Sequence, residues 1–184
     1  MHLPDTILEI KTLGSFILSV NEKPVETDWP SEAIKVLFCS LLSPLDLYFS
    51  WDRVCRSMLG VPATKNSRVK LDQGFLQPLE RFMTRTFGFN PVIKGPEGIR
   101  IDHQRIHVDA QTFQNTIVEG LRLMSVGDRE AAREKFSAAD SIYAGIYLPE
   151  IQGKIVANTR NELESLYQTV IVEAGRSHGK GHSS

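Results

Sequence analysis

Seven side chains have the types and spacing to meet a nucleic acid. Arg68, Lys70, Gln73, Gln77 and Arg81 fall within one helical stretch, and Lys94 and Arg100 follow in a turn-rich one. Arginine and lysine neutralise phosphates or pair with guanine edges, and glutamine pairs bidentately with adenine. The five helical residues face away from an apolar stripe, so they read equally as the solvated side of an amphipathic helix. Lys94 stands at the mouth of a hairpin, where a lysine commonly meets phosphate. Arg100, on the return strand, either meets phosphate or braces the hairpin. Residue type alone leaves these readings open.

Other chemistries find less support. His103 and His107 are four apart, but across a turn and strand rather than on one helical face, and His178 and His182 lie in a glycine-containing tail. A structural zinc takes four Cys or His ligands in compact pairs, which this spacing does not supply. Cys39 and Cys55 each fall on the apolar face of a helix and read as buried free thiols. There is no GxxxxGK phosphate loop and no nucleophile elbow. Glu130 and Glu134 interleave with Arg129, Arg133 and Lys135, the pattern of a charged, exposed helix face. The expectation is a protein that is not an enzyme and holds no metal or cofactor.

The elements that must position these groups follow from periodicity. Leu8, Ile10 and Thr12, then Phe16, Leu18 and Val20, alternate with polar neighbours around turn-forming residues, which predicts a short antiparallel meander ending near Val25. Ser31 caps a first helix over 32–43, with Ile34, Leu37, Phe38 and Leu41 at helical spacing. Ser50 caps a second, carrying Trp51, Val54, Cys55, Met58 and Leu59 and ending at Gly60. A third helical stretch spans Lys65 to Phe87, its stripe formed by Val69, Leu76, Leu79 and Met83. Gly74 and Pro78 interrupt it, and a continuous helix bent near 74–78 is expected. Trp29 and Trp51 read as packing between the N-terminal sheet and the helices.

A second hairpin follows, Val92-Ile93 and Ile99-Arg100-Ile101 about Gly95-Pro96-Glu97-Gly98, then a turn and Ile106-His107-Val108. Asp109 is expected to cap a helix over 110–125 with Phe113, Ile117, Leu121 and Met124 on one face. Helices over 128–143 and 155–175 complete the chain, the last striped by Leu163, Tyr167, Val170 and Ala174. Phe113, Phe136, Tyr143 and Tyr167 read as core. Small residues Ala131, Ala132 and Ala139 beside Phe136 are how closely packed helices look in a tetratricopeptide-like hairpin.

The chain has 184 residues, 41% hydrophobic and 23% charged, the balance of a globular protein long enough for one large or two small domains. Its net charge of −1 is unevenly spread. Residues 1–49 carry 3 basic and 7 acidic groups, residues 50–105 carry 10 and 5, and residues 106–184 carry 8 and 10. The positive excess coincides with the seven candidate residues. No window reaches the ~18 apolar residues of a membrane span, and MHLPDTILEIK lacks the start of a secretory signal. A cytoplasmic protein without membrane contact is expected.

The order of these motifs resembles a known family. LGSFILSVNEKPV followed by Trp29, three helices, IKGPEGIRI and VDAQTF is similar to the OmpR-type winged helix of bacterial regulators. GDREAAREKFSAADSIYAGIYLP and RNELESLY resemble the bacterial transcriptional activation domain that follows it in the antibiotic regulatory proteins. The resemblance covers roughly residues 7–172. It implies an α+β winged helix over 1–108 and an all-α tetratricopeptide-like module over 109–177, while the small, polar residues 178–184 read as a disordered tail. The third helix would enter the major groove of double-stranded DNA and the hairpin would meet the backbone. The helical module would form a homodimer or contact the transcription machinery. The chain departs from the pattern at Ser31-Glu32-Ala33, where basic residues are usual, at Met83-Thr84-Arg85, and at Ile155, a usual tryptophan. The alternative these departures raise is a winged-helix protein-interaction module that has lost DNA binding.

Overall fold

Alternation at the N-terminus builds a sheet with one dry face. In the computed structural model, which describes residues 6–46, 48–173 and 175–176, β1 (Leu8–Lys11), β2 (Ile17–Val20) and β3 (Lys23–Pro24) form the expected antiparallel meander. Leu8 and Ile10 are buried while Glu9 and Lys11 face solvent. Asn21 and Glu22 turn the chain between β2 and β3 with positive φ, the backbone that a tight hairpin turn demands. A fourth strand, β7 (Ile106–Val108), joins β1 in parallel, Leu8 opposite Ile106 and Ile10 opposite Val108.

Capping serines start the first two helices where expected. Ser31 Oγ accepts from the Ile34 amide at the head of α1 (Glu32–Leu41), and Ser50 Oγ accepts from the Arg53 amide at the head of α2 (Trp51–Leu59). Each satisfies an amide that has no partner within its helix. Between them, β4 (Phe49–Ser50) is a strand that the sequence pattern did not reveal. It joins β6 (Gly98–Ile101), which pairs in turn with β5 (Val92–Lys94), so the order of this second sheet is β4-β6-β5. A Cβ on Gly98 would stand 2.1 Å from the Phe49 carbonyl oxygen. The close approach of the strands there requires glycine.

The third helical stretch is continuous but not uniform. α3 (Lys65–Leu71) passes into a π-helical turn over Asp72–Leu76 and on into α4 (Gln77–Phe87), which Gly88 ends in the left-handed region. The Gln77 amide reaches back five residues to the Asp72 carbonyl. Pro78 stands in the first turn of α4, where its missing N–H is least costly. This widened turn corrects the expected stripe. Val69 is 45% exposed, and Leu71 takes the buried place. Seven residues before Leu76 would be in phase in a uniform α-helix, but a π turn uses about one residue more per turn, so the phase does not carry back to Val69.

Beyond β7 the chain is helical: α5 (Asp109–Ser125), α6 (Arg129–Ile142) and α7 (Lys154–Leu166), the last running into a π-helical stretch over Tyr167–Val172. α5 and α6 pack closely through Gly120, whose added Cβ would lie 2.6 Å from the Phe136 ring, and through buried Ala132 and Ala139. Phe113 is fully buried against half-buried Tyr143 and Tyr167, which stack on each other at 3.9 Å. Leu121 and Met124, expected on the buried face, are exposed. The buried stripe runs Ala110, Phe113, Ile117, Gly120; Leu121 and Met124 lie only about 40° round the helix from Ile117 and Gly120, so they stay in phase with the stripe, and the last turn of the helix lacks cover.

Asp109 does not cap α5 from outside. It is the first helical residue, and its carboxylate accepts the Ala110 amide at 2.8 Å while reaching across to the N-terminal sheet. Oδ1 takes the Thr12 amide and hydroxyl at 2.7 and 2.5 Å, and Oδ2 takes the Leu13 amide at 3.1 Å. Close by, Leu13 bridges to Tyr147, the Gly14 amide donates to the Ile146 carbonyl, and the Leu148 amide donates to the Thr12 carbonyl. Ser43 and Thr159 share a buried hydrogen bond of 2.7 Å. The seam expected at Val108 is thus crossed by hydrogen bonds and by one continuous buried core reaching from Leu8 to Leu163. The fold is mixed α+β. Residues 178–184, with His178 and His182, and Ala174 of the last stripe lie outside the described residues.

Candidate nucleic-acid interface

The second hairpin is fastened to the long helix by side chains from three elements. Trp51, at the head of α2, donates from Nε1 to the Gly95 carbonyl at 2.9 Å and from its amide to the Glu97 carbonyl. It therefore packs beneath the hairpin, whereas Trp29 packs as expected near the N-terminal sheet, among Phe16, Phe38 and Phe82. Arg68 from α3 lies over the Trp51 ring at 4.5 Å, with Nη2 3.5 Å from the Pro96 carbonyl. Lys94 from β5 reaches Asp72 Oδ1 at 2.9 Å and Glu80 Oε1 at 2.8 Å. Gln77 Nε2 donates to the other oxygen of Asp72 at 2.7 Å.

These contacts divide the seven candidate residues. Arg68, Gln77 and Lys94 are engaged within the protein. Lys70, Gln73, Arg81 and Arg100 are exposed and make no ion pair among the described residues. Lys70, Gln73 and Arg81 line the open side of α3, the π turn and α4. Arg100 projects from the outer face of β6. Lys65 and Arg85, outside the seven candidates, are likewise exposed without an ion pair among the described residues. Arg85 and Arg81 edge a shallow groove with Glu80, Thr84 and Asn90. Their spacing of four residues on an exposed face was the available signal for Arg85.

Charge is redistributed by the same contacts. Burial opposes ionisation at Asp72, but hydrogen bonds from Lys94 and Gln77 outweigh it and hold the carboxyl below its ordinary value. Burial likewise opposes the Lys94 ammonium, and the bonds to Glu80 and Asp72 outweigh it and raise its pKa. Asp52 is tied to Arg56 at 2.7 Å and to the Ala63 amide. Three of the five acids in residues 50–105 are thereby occupied, while Lys65, Lys70, Arg81, Arg85 and Arg100 remain open. Arg100 stands near His103, whose imidazole is pushed down by burial and then by that arginine.

Cys39 and Cys55 are buried and free, and burial pushes the Cys39 thiol up. Among the described residues no three His, Cys, Asp or Glu side chains gather as a metal site. Among the same residues no helix is long and apolar enough to cross a membrane.

No family model matches the chain, and no curated protein matches it. Among solved structures it is similar to Mycobacterium tuberculosis EmbR in complex with a low-affinity phosphopeptide, at a TM-score of 0.59 and 15% sequence identity. The likeness is one of fold. It covers 94% of this chain and 44% of the EmbR chain, so this chain spans less than half the length of that protein. The match runs through both the sheet-containing part and the helical part of this chain.

Proposed function

We propose that this chain is a non-enzymatic transcriptional regulator that binds double-stranded DNA in the cytoplasm. In this reading residues 1–108 are a winged helix. α3 and α4 enter the major groove as one recognition helix, and β5–β6 is the wing lying on the backbone. Lys70, Arg81, Arg85 and Arg100 meet phosphates or guanine edges, and Gln73 meets a base edge. Arg68 and Gln77 set the shape of that surface from within. The helical part, 109–177, serves self-association or contact with the transcription machinery, an assignment supported by exposed Val118, Leu121 and Met124 along α5.

The observation that carries the proposal is the set of exposed cations, without an ion pair among the described residues, on the open side of one continuous helix and its neighbouring hairpin. Asp72 and Glu80 on that helix are tied up by Lys94, which lowers the repulsion a phosphate would meet there. The test is a titration of labelled duplex DNA, first with random sequence and then with selected sequences, at several salt concentrations. Four phosphate contacts give a slope of log K against log salt of about −3.6. Lys70→Met and Arg81→Met should each flatten that slope by about 0.9. Absence of binding to any duplex at low salt would favour the protein-interaction module instead.

A further inference from the structure

We infer that Lys94 is a positioning residue, held off the phosphate backbone by Asp72 and Glu80, and that Arg100 is the hairpin's own phosphate contact. This rests on the DNA-binding reading and deepens it. In many hairpins that touch nucleic acid a lysine at this place would be the first candidate for phosphate contact. Here its Nζ lies 2.8 and 2.9 Å from two carboxylates. Its side chain is 32% exposed, and those of Asp72 and Glu80 are 29% and 20% exposed.

Three ionised groups stand together with a net charge of −1, so an approaching phosphate meets repulsion. Were Lys94 to turn outward, two partly buried carboxylates would lose their cation, and partly buried charges left alone are costly. Asp72 is further locked by Gln77, so it does not follow the lysine out. The cluster therefore favours retention of Lys94 over exchange for phosphate.

Strand geometry gives the two basic residues opposite roles. Lys94 pairs with Ile99 and Ile93 pairs with Arg100 across β5 and β6. Paired residues share a face and neighbours alternate, so Lys94 lies on the inner face with fully buried Ile99, and Arg100 on the outer face. Lys94 is also one of three fastenings along the hairpin, with Trp51 at Gly95 and Glu97 and Arg68 at Pro96. Together they fix the angle between hairpin and helix.

The test measures the salt dependence of binding by the full chain to a duplex selected from random sequence. Lys94→Met should weaken binding to that duplex several-fold and leave the slope of log K against log salt unchanged. Arg100→Met should flatten the slope by about 0.9, one phosphate's worth. The double variant Asp72→Asn/Glu80→Gln should steepen it by up to about 0.9, because the released lysine can now reach a phosphate. Lys94→Arg, which keeps the ion pairs, should retain both affinity and slope, which separates positioning from a mere loss of folding. A Lys94→Met slope flattened as much as that of Arg100→Met would overturn the inference while leaving DNA binding intact. A wild-type chain that binds no duplex at any salt would overturn the DNA-binding reading and this inference with it.

Discussion

Replacing Asp109 with alanine should destabilise the protein by about 4 kcal/mol, because three donors at the end of β1 lose their acceptor together. The Thr12 amide, the Thr12 hydroxyl and the Leu13 amide all bond to this carboxylate at 2.5 to 3.1 Å. Thr12 is fully buried and Leu13 nearly so, so water cannot replace what is lost. An orphaned buried donor costs about 1–3 kcal/mol, and bonds to a charged acceptor are at the upper end. A smaller contribution of about 0.3–1 kcal/mol comes from a negative charge in the first turn of a helix. Asp109→Asn should cost about half as much, since one oxygen survives while the new amide faces a donor. Urea unfolding followed by tryptophan fluorescence and by far-ultraviolet circular dichroism measures this directly. With an unfolding slope of about 2 kcal/mol per molar urea, the Asp109→Ala midpoint should fall by about 2 M. Both probes should move together, since the core on the two sides of Val108 is continuous. A midpoint shift below about 0.5 M would refute the reasoning. So would two separated transitions already present in the wild-type chain.

Other perturbations have equally definite signs. Tyr147 is fully buried with a hydroxyl that has no hydrogen-bond partner among the described residues, so Tyr147→Phe should leave the melting temperature unchanged or raise it, by up to about 1 kcal/mol of stability. The Arg160 guanidinium donates to the carbonyls of Tyr147, Leu148 and Ile151. A lysine cannot reproduce that fork, so Arg160→Lys should cost about 2 kcal/mol in a denaturation experiment. Gly120→Ala would press a methyl into the Phe136 ring and should cost about 1–3 kcal/mol, partly recovered when Phe136 is shortened to leucine. Asp72 titrates below its ordinary 3.8, so its contribution is present above that value and lost as pH falls through the lower folded value. Lys94 titrates above its ordinary 10.5, so its contribution is present below 10.5 and lost as pH rises through the higher folded value. Trp51 fluorescence, reporting from beneath the hairpin, should therefore stay flat from about pH 5 to 9, and a midpoint near neutrality would contradict this.

Local signals in the sequence were good guides to where elements begin and end. Ser31, Ser50, Gly60 and Gly88 each act through atoms within a few residues, so periodicity and caps suffice to place them. What depended on distant partners was not legible. The two-residue strand at Phe49–Ser50 exists because Gly98 and Ile99 lie beside it, and nothing in its own composition says so. Asp109 reads as a helix cap by type, while three of its four hydrogen bonds go to residues nearly a hundred positions earlier. Val69 was misassigned because the uniform helical period fails at a turn one residue wider. Among the candidate site residues, periodicity turns all five helical ones away from the apolar stripe; Lys70, Gln73 and Arg81 are exposed, while Arg68 and Gln77 are half-buried and engaged within the protein. The capture of Lys94 was not legible, because Asp72 and Glu80 are 22 and 14 residues away and only the fold brings them within 3 Å.

The position of β1 has a consequence for how the chain is made. On one side it pairs with β2, a few residues later, but its other neighbour is β7 at residues 106–108. Leu13, just past its end, forms its backbone bridge with Tyr147. A chain emerging from the ribosome can form the first hairpin at once, yet it waits for nearly ninety further residues before the sheet can close. At ordinary rates of translation that interval is on the order of ten seconds. Throughout it Leu8 and Ile10 lack the strand and core that bury them. β1, made before each of its partners, is thus among the last elements to be completed, and a transcript truncated before residue 148 would release a product with an open apolar edge.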